Sequence, residues 1–348
     1  MKIINYLSIS VFATSIFISA NAAELDPLFQ SNDVLAITIT APFGQIDRDR
    51  DKEAEYKDAT LAYVDKNGDQ HEFVVELEVR GNNRLKKDVC RYSQLWVNFK
   101  KGQVEGTLFE NQDKIKLVVQ CRGQSRYADY IIKEQQAYRL FNQLSNYSFQ
   151  SRLIQATYVD SERDNSIRTH IAFFIEHQDR LAKRAGMENF EESDISIGEL
   201  DPQQSSLVSL FMYLISNTDY SIIRGTPDDE CCHNAKLLES ESLHYFPIPY
   251  DFDSTGYVNT SYAVPAEGLR QRNVRQRIFR GFCVPDVVME NSLTKFHEAR
   301  EAISEIVSDT THVSSRVANR SLNYVDEFYQ IIDDPRKLES EITEECRG

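Results

Sequence analysis

The chain has 348 residues, of which 41% are hydrophobic and 27% charged, and a formal net charge of −15. That composition supports a sizeable core in one large or two ordinary domains. The acidic balance argues against nucleic acid or an anionic membrane surface as a principal partner.

Residues 1–22 read as a secretory signal peptide. Lys2 supplies the positive start, Ile3 to Ile18 is largely apolar, and Ala20-Asn21-Ala22 offers an A-x-A cleavage site. No later segment approaches the ~18 apolar residues of a membrane span. The expectation is an exported protein, periplasmic or extracellular, without membrane insertion. Six cysteines, Cys90, Cys121, Cys231, Cys232, Cys283 and Cys346, then read as disulfides, and the absence of C-x-x-C spacing argues against a zinc cluster. Cys90 and Cys121 bracket a hairpin-like segment and form the first expected pair. Cys231 or Cys232 with Cys283 is the second, with Cys346 left for the spare cysteine, because adjacent cysteines rarely bond.

Residues 34–40 alternate apolar and polar, as a strand does. Residues 59–64 and 72–79 flank Asp65-Lys66-Asn67-Gly68-Asp69, a strong hairpin signal that delivers Arg80-Gly81-Asn82-Asn83-Arg84 at its end. Residues 95–100 and 114–119 are further strands, so the chain to about residue 125 is mostly β. Residues 130–141 change to a helical period. Residues 149–159 and 169–176 return to strand character, followed by a basic helical segment with Arg180, Lys183 and Arg184. Residues 205–215 form an apolar helix that runs into Ser216-Asn217-Thr218-Asp219-Tyr220. A buried strand follows at His244 to Tyr250 and leads into Asp251-Phe252-Asp253. The five arginines from Arg270 to Arg280 read as a solvated helix face, and the chain from Ser292 onward is helical. The expected organisation is a β-rich N-terminal lobe with one helix (23–176) and a mainly helical C-terminal lobe carrying the metal site (177–348).

Asp251 and Asp253 project from one face of an extended strand, and two close carboxylates repel unless a cation or shared proton relieves them. Alternatively they shape a turn. Asn217 and Asp219 follow an apolar helix, His233 and Asn234 come just before Lys236-Leu237-Leu238, and Asp251 and Asp253 end an apolar strand; the order Asp, Asn, Asp across roughly 35 residues is what phosphoryl transfer needs. One carboxylate takes the proton of the attacking hydroxyl. An amide oxygen and a second carboxylate hold Mg²⁺ against the phosphates. A hydrolase built on Asp251 and Asp253 ranks last, since residues so close in sequence seldom straddle a substrate bond.

The ordered set carries a resemblance. Arg80-Gly81-Asn82-Asn83 resembles the R-G-N-S element of the CotH-like kinase family. Lys133 to Phe141 is similar to its R-x-x-x-A-Y-x-L helix, and Phe173 to Asp179 to its strand ending in E-Q-I-D. Asn217-Thr218-Asp219, His233-Asn234 and Ile248-Pro249-Tyr250-Asp251-Phe252-Asp253 resemble its D, H-N and I-P-W-D-x-D series. Order and rough spacing agree over about residues 70–285. Asn83 replaces the family's Ser and Tyr250 its Trp. The resemblance implies an α+β, two-lobed protein-kinase-like fold. It also implies a transferase that moves phosphate from ATP to Ser or Thr of secreted or envelope proteins, with Mg²⁺ or Mn²⁺. Asp219 would be the base, Asn234 and Asp251 metal ligands with Asp253 in support, and Glu176 a hinge residue near the nucleotide base. Lys100 is the first choice for the phosphate-contacting lysine, Lys116 its competitor and Lys101 a lesser one, with Glu134 as the helix partner. The alternative is a catalytically inactive binding or scaffold protein of the cell envelope.

Overall fold

The computed structural model describes residues 24–50, 55–100, 102–163, 166–190, 194–225 and 231–348. The signal peptide expected at 1–22, and Lys101, lie outside the described residues.

Seven strands close into a barrel: β1 (Leu35–Ala41), β2 (Lys57–Val64), β3 (Gln70–Arg80), β4 (Gln94–Phe99), β5 (Lys114–Val119), β6 (Ser151–Asp160) and β7 (Ile167–Ile175), in the order β1-β2-β3-β4-β5-β7-β6. A short helix, α1 (Phe43–Arg48), follows β1. The alternation read from the sequence points one set of side chains inward. Leu61 and Tyr63, Val75 and Leu77, Leu95 and Val97, and Ile115 and Leu117 fill the barrel with Ile154, Ala156 and Tyr158 of β6. At the tight β2–β3 turn, Asp65 accepts the backbone N–H groups of Asn67 and Asp69, and Gly68 takes φ +91°.

Toward the ends of β5 and β7 the outward set is apolar as well. Val118, Phe173 and Ile175 pack against α2 (Ser125–Asn142), and the core continues through α4 (Pro202–Ile215), α5 (Asp286–Ser308) and α6 (Ser315–Ile332). The barrel wall therefore separates two cores and belongs to both. Helix α3 (Gln178–Ala185) leads to a small sheet in the order β10-β9-β8, from β8 (Glu188–Asn189), β9 (Ala235–Glu239) and β10 (Tyr245–Pro249). Pro247 and Pro249 fit β10 because it is an edge strand. A last short helix, α7 (Pro335–Leu338), precedes the C-terminus.

This corrects the expected kinase-like two-lobed fold. The N-terminal strands form a closed mixed barrel followed by a helical region. The reason is the parallel pairing of β1 with β6, from Leu35 opposite Ile154 to Ala41 opposite Asp160. It satisfies the backbone groups that an open sheet would leave on its two edges.

Two further expectations change. The disulfides are Cys90–Cys121, as expected, together with Cys231–Cys232 and Cys283–Cys346. The adjacent cysteines bond to each other, and Cys283 ties the C-terminal tail instead. Among the described residues no cysteine is free, and no helix is long and apolar enough to cross a membrane. Disulfides persist in oxidising compartments. The arginine run lies in irregular chain before α5, not on a helix. Arg277 stacks on Tyr324 with its guanidinium 4.0 Å from the ring centre, and Arg280 donates to the Thr218 carbonyl.

Candidate active site

A cleft of about 440 Å³ lies where the outer barrel wall meets the helical region. Arg80, Trp96 and Lys116 come from the barrel, Glu134 and Tyr138 from α2, and Asp219, Asn234, Lys236, Asp251 and Asp253 from the helical region. The three motifs read from the sequence as Asp, Asn, Asp thus share one cleft.

Backbone geometry brings them together. Helix α4 ends at Ser216 in the left-handed region, φ +51°. The Asn217 side chain then accepts the Asp219 N–H at 3.0 Å. Asn234, at φ +49°, donates its amide to the Asp219 carbonyl, while its own carbonyl accepts the Tyr250 N–H at 3.2 Å. One asparagine therefore ties the first motif to the third. Asp251 also sits at positive φ, +60°, and its N–H donates to the Tyr138 hydroxyl at 2.9 Å. Left-handed conformations at non-glycine residues cost about 1–3 kcal/mol each and gather at functional sites.

The charges in the cleft are crowded and unequal. Arg84, in the turn after β3, donates to Glu134 at 2.6 Å and to Asp253 at 2.7 Å, with all three side chains nearly buried. Burial pushes Glu134 up to about 8, against the pull of Arg84 and with Asp253 and Asp251 adding to the rise. Burial, then Asp253, also raises Asp251. Asp219 moves the other way. The His233 ring, 3.2 Å from its carboxylate, holds it below the usual carboxylate range, and its side chain is 62% exposed. Asp219 is an ionised carboxylate at the cleft mouth.

Lys116 lies between the rings of Trp96 and Tyr250, its ammonium 5.3 and 5.0 Å from their centres. Burial, then the charge of Arg80, lowers it to about 7. Lys100, the first choice from the sequence, is exposed one residue beyond the end of β4 and does not line the cleft. Glu134 does line it, but its partner is Arg84. Glu176 lies outside the cleft. Arg184 binds both of its oxygens at 2.9 and 3.0 Å, and the Gln150 N–H donates to it at 3.0 Å.

Arg80, Arg84 and the Trp96–Tyr250 pair carried no role in the sequence reading. The strand alternation held a signal for part of this. Glu78 and Lys116 are both opposite Trp96 in register, so Trp96 and Lys116 leave the barrel on the same side. Nothing local marks Arg84, whose two carboxylate partners are 50 and 169 residues away.

Among the described residues, no group of three or more His, Cys, Asp and Glu side chains forms a ready-made metal cage. Mg²⁺ does not need one. It is usually held by one or two carboxylates with substrate phosphates and water completing the shell. Asp251, raised by its neighbour Asp253, is a carboxylate whose charged form a cation would favour, and Asn234 adds a hard amide oxygen. This donor set fits Mg²⁺ or Mn²⁺. The chain matches no family model and no characterised protein sequence.

Proposed function

We propose that this cleft transfers phosphate from ATP to a Ser or Thr hydroxyl of another exported or envelope protein, in the periplasm or outside the cell. The observation that carries the reading is the convergence of Asp219, Asn234 and Asp251 on one cleft with Lys116 and Arg80. The proposal rests on this constellation and its resemblance to the CotH-like series, independently of the overall fold. Lys116 and Arg80 hold phosphate oxygens, and the Trp96 and Tyr250 rings keep water from the ammonium. Asp219, ionised at the mouth and oriented by His233, accepts the proton of the incoming hydroxyl. Asn234 and Asp251 would hold Mg²⁺ or Mn²⁺, with Asp253 kept in place by Arg84. A bound divalent cation supplies charge that neutralises phosphate oxygens as the phosphoryl group moves.

The test separates binding from transfer. The wild-type protein should bind ATP with Mg²⁺ or Mn²⁺, and Asp251→Ala should lose that binding. Asp219→Ala should keep it and lose phosphate transfer to protein acceptors by at least about 100-fold. Failure of the wild type to bind nucleotide with either metal at millimolar concentration overturns the proposal.

One observation favours a second reading, a binding cleft without turnover. Arg84 occupies Glu134, so the helix carboxylate is not paired with the phosphate-binding lysine. That reading is distinguished by nucleotide or partner binding with no transfer by the wild type.

A further inference from the structure

A second concave site lies on a neighbouring face of α2 from the cleft. It has a volume of about 590 Å³, within the range of small-molecule sites. Helix α2 supplies Arg126, Asp129, Tyr130 and Lys133, which share one face at i, i+3, i+4 and i+7. Helix α6 supplies Arg320, Asn323, Tyr324 and Glu327 with the same spacing. The chain after Asp253 closes the floor with Tyr257 and Val258, and Arg275 closes a side.

Four cations, Arg126, Lys133, Arg275 and Arg320, therefore face one space with two carboxylates. Among the described residues none of the four has a carboxylate within 4 Å in an ion pair. Glu327 is engaged by Arg277 at 3.3 Å, so its charge is already answered. The whole chain carries 54 acidic residues against 39 basic ones, so four cations without a close carboxylate in one pocket run against its composition, although Arg275 lies over the Tyr324 ring, Arg126 over the Tyr127 ring and Asp129 attracts Lys133. Lys133 is held by neutral partners. Its ammonium donates to the Val258 carbonyl at 3.1 Å and lies 5.0 Å from the Tyr257 ring centre. Burial, then Arg275, lowers it to about 7.

We propose that this pocket binds a small, multiply charged anion of the phosphate type. Guanidinium groups present paired donors that match phosphate oxygens, and three of them ring the pocket beside a buried ammonium. The Asn323 and Asn259 side chains at the rim offer further donors. The Tyr324 ring carries Arg275 at 4.5 Å and Arg277 at 4.0 Å from its centre, so it gives no open face for a stacked base. The ligand is recognised through its charge and not through a nucleobase. This site is separate from the proposed phosphate-transfer cleft and does not depend on that reading.

Calorimetric titration of the whole protein with inorganic pyrophosphate, at low ionic strength and with a chelator present, tests the proposal. The wild type should bind. The Arg275→Glu/Arg320→Glu variant should bind at least about tenfold more weakly. Both residues are exposed, but Arg275 also lies 4.5 Å from the Tyr324 ring centre, so circular dichroism and melting of the variant are read alongside to separate lost binding from a lost fold. Lys133→Met, which keeps the packing on Tyr257, should show a loss of the same order. Lys116→Met removes the phosphate contact proposed for the other cleft, so in that background the remaining pyrophosphate binding reports this pocket alone. No binding at about 10 mM, where even weak specific sites register, overturns the pocket. So does binding that, in the Lys116→Met background, survives the double substitution or is already absent, which assigns the anion to the cleft.

Discussion

Lys116 is held in a state that the unfolded chain does not share. Its folded value is about 7, whereas an exposed lysine titrates near 10.4. Below pH 7 the lysine is protonated in both states, and the folded protein carries the full cost of burying the charge. Between pH 7 and about 10.4 the unfolded chain binds more protons, so stability rises with pH across that window. Lys116→Met should therefore melt at a higher temperature than the wild type at pH 7, with the gap narrowing by pH 9.5. The same substitution should abolish nucleotide binding at the cleft. In the wild type, nucleotide affinity should fall above pH 7, by up to about tenfold per unit, because binding then has to recharge the lysine. Thermal melts and titrations at the two pH values check both signs. A flat pH profile in the wild type would remove Lys116 from the phosphate contact. The sequence left Lys100 and Lys116 both open. Strand alternation decides only which side of a strand a residue leaves, and the distinction depended on where β4 stops pairing. It stops at Phe99, so Lys100 projects into solvent.

At the scale of elements, the site depends on the joint between the end of α4 and the chain after β10. The Gly256 N–H donates to the Ser216 carbonyl at 3.1 Å, and the Tyr257 N–H to the Ile215 carbonyl at 2.9 Å. These bonds lock the segment carrying Asp251 and Asp253 onto the helix that delivers Asp219. The approach leaves no room for a side chain at Gly256. A Cβ there would lie 2.3 Å from the Val274 carbonyl oxygen and 2.8 Å from the Arg275 Cα. Gly256→Ala should destabilise the fold by about 1–3 kcal/mol and weaken metal-dependent nucleotide binding, read by denaturant unfolding and by titration. Unchanged stability would show that the joint yields. The individual strands and helices were largely legible, because each writes its period into its own residues. Ile115, Leu117 and Val119 alternate inward on β5, and the β2–β3 turn carries its Asn-Gly signal. The arginine run misled because charge spacing was read as a helix face. In the fold Arg275 and Arg277 stack on Tyr324, Arg277 donates to the Leu214 carbonyl near the α4 end and Arg280 to the Thr218 carbonyl, contacts set by distant residues, while Arg270 and Arg272 are exposed.

For the whole molecule, the closure of the barrel was not legible. It depends on β6 returning beside β1, and no local pattern distinguishes a strand that closes a barrel from one that adds to an open sheet. The constellation of Asp219, Asn234 and Asp251 could be read ahead of the fold because each member borders an apolar element. The disulfides divide in the same way. Cys90 and Cys121 lie at neighbouring chain turns, whereas Cys283 and Cys346 are 63 residues apart and meet where Phe282 bridges Arg347. That long bridge fastens the tail, in which Glu341 accepts the Tyr213 hydroxyl proton at 2.7 Å. Replacing both cysteines, Cys283→Ser with Cys346→Ser, should lower stability by about 2–4 kcal/mol while leaving nucleotide affinity at the cleft unchanged. Melting curves and titration read the two quantities separately, and a loss of affinity would tie the tail to the cleft.

Arg84 has a mechanical consequence. One guanidinium joins the turn after β3, helix α2 and the segment after β10 through Glu134 and Asp253. Pulling these three apart would strand buried charges, at roughly 3–5 kcal/mol for a broken pair. Opening of the barrel and the helical region about the base of the cleft as two jaws is therefore disfavoured. The base acts as a rivet, whereas the side of Asp219, next to His233, is exposed.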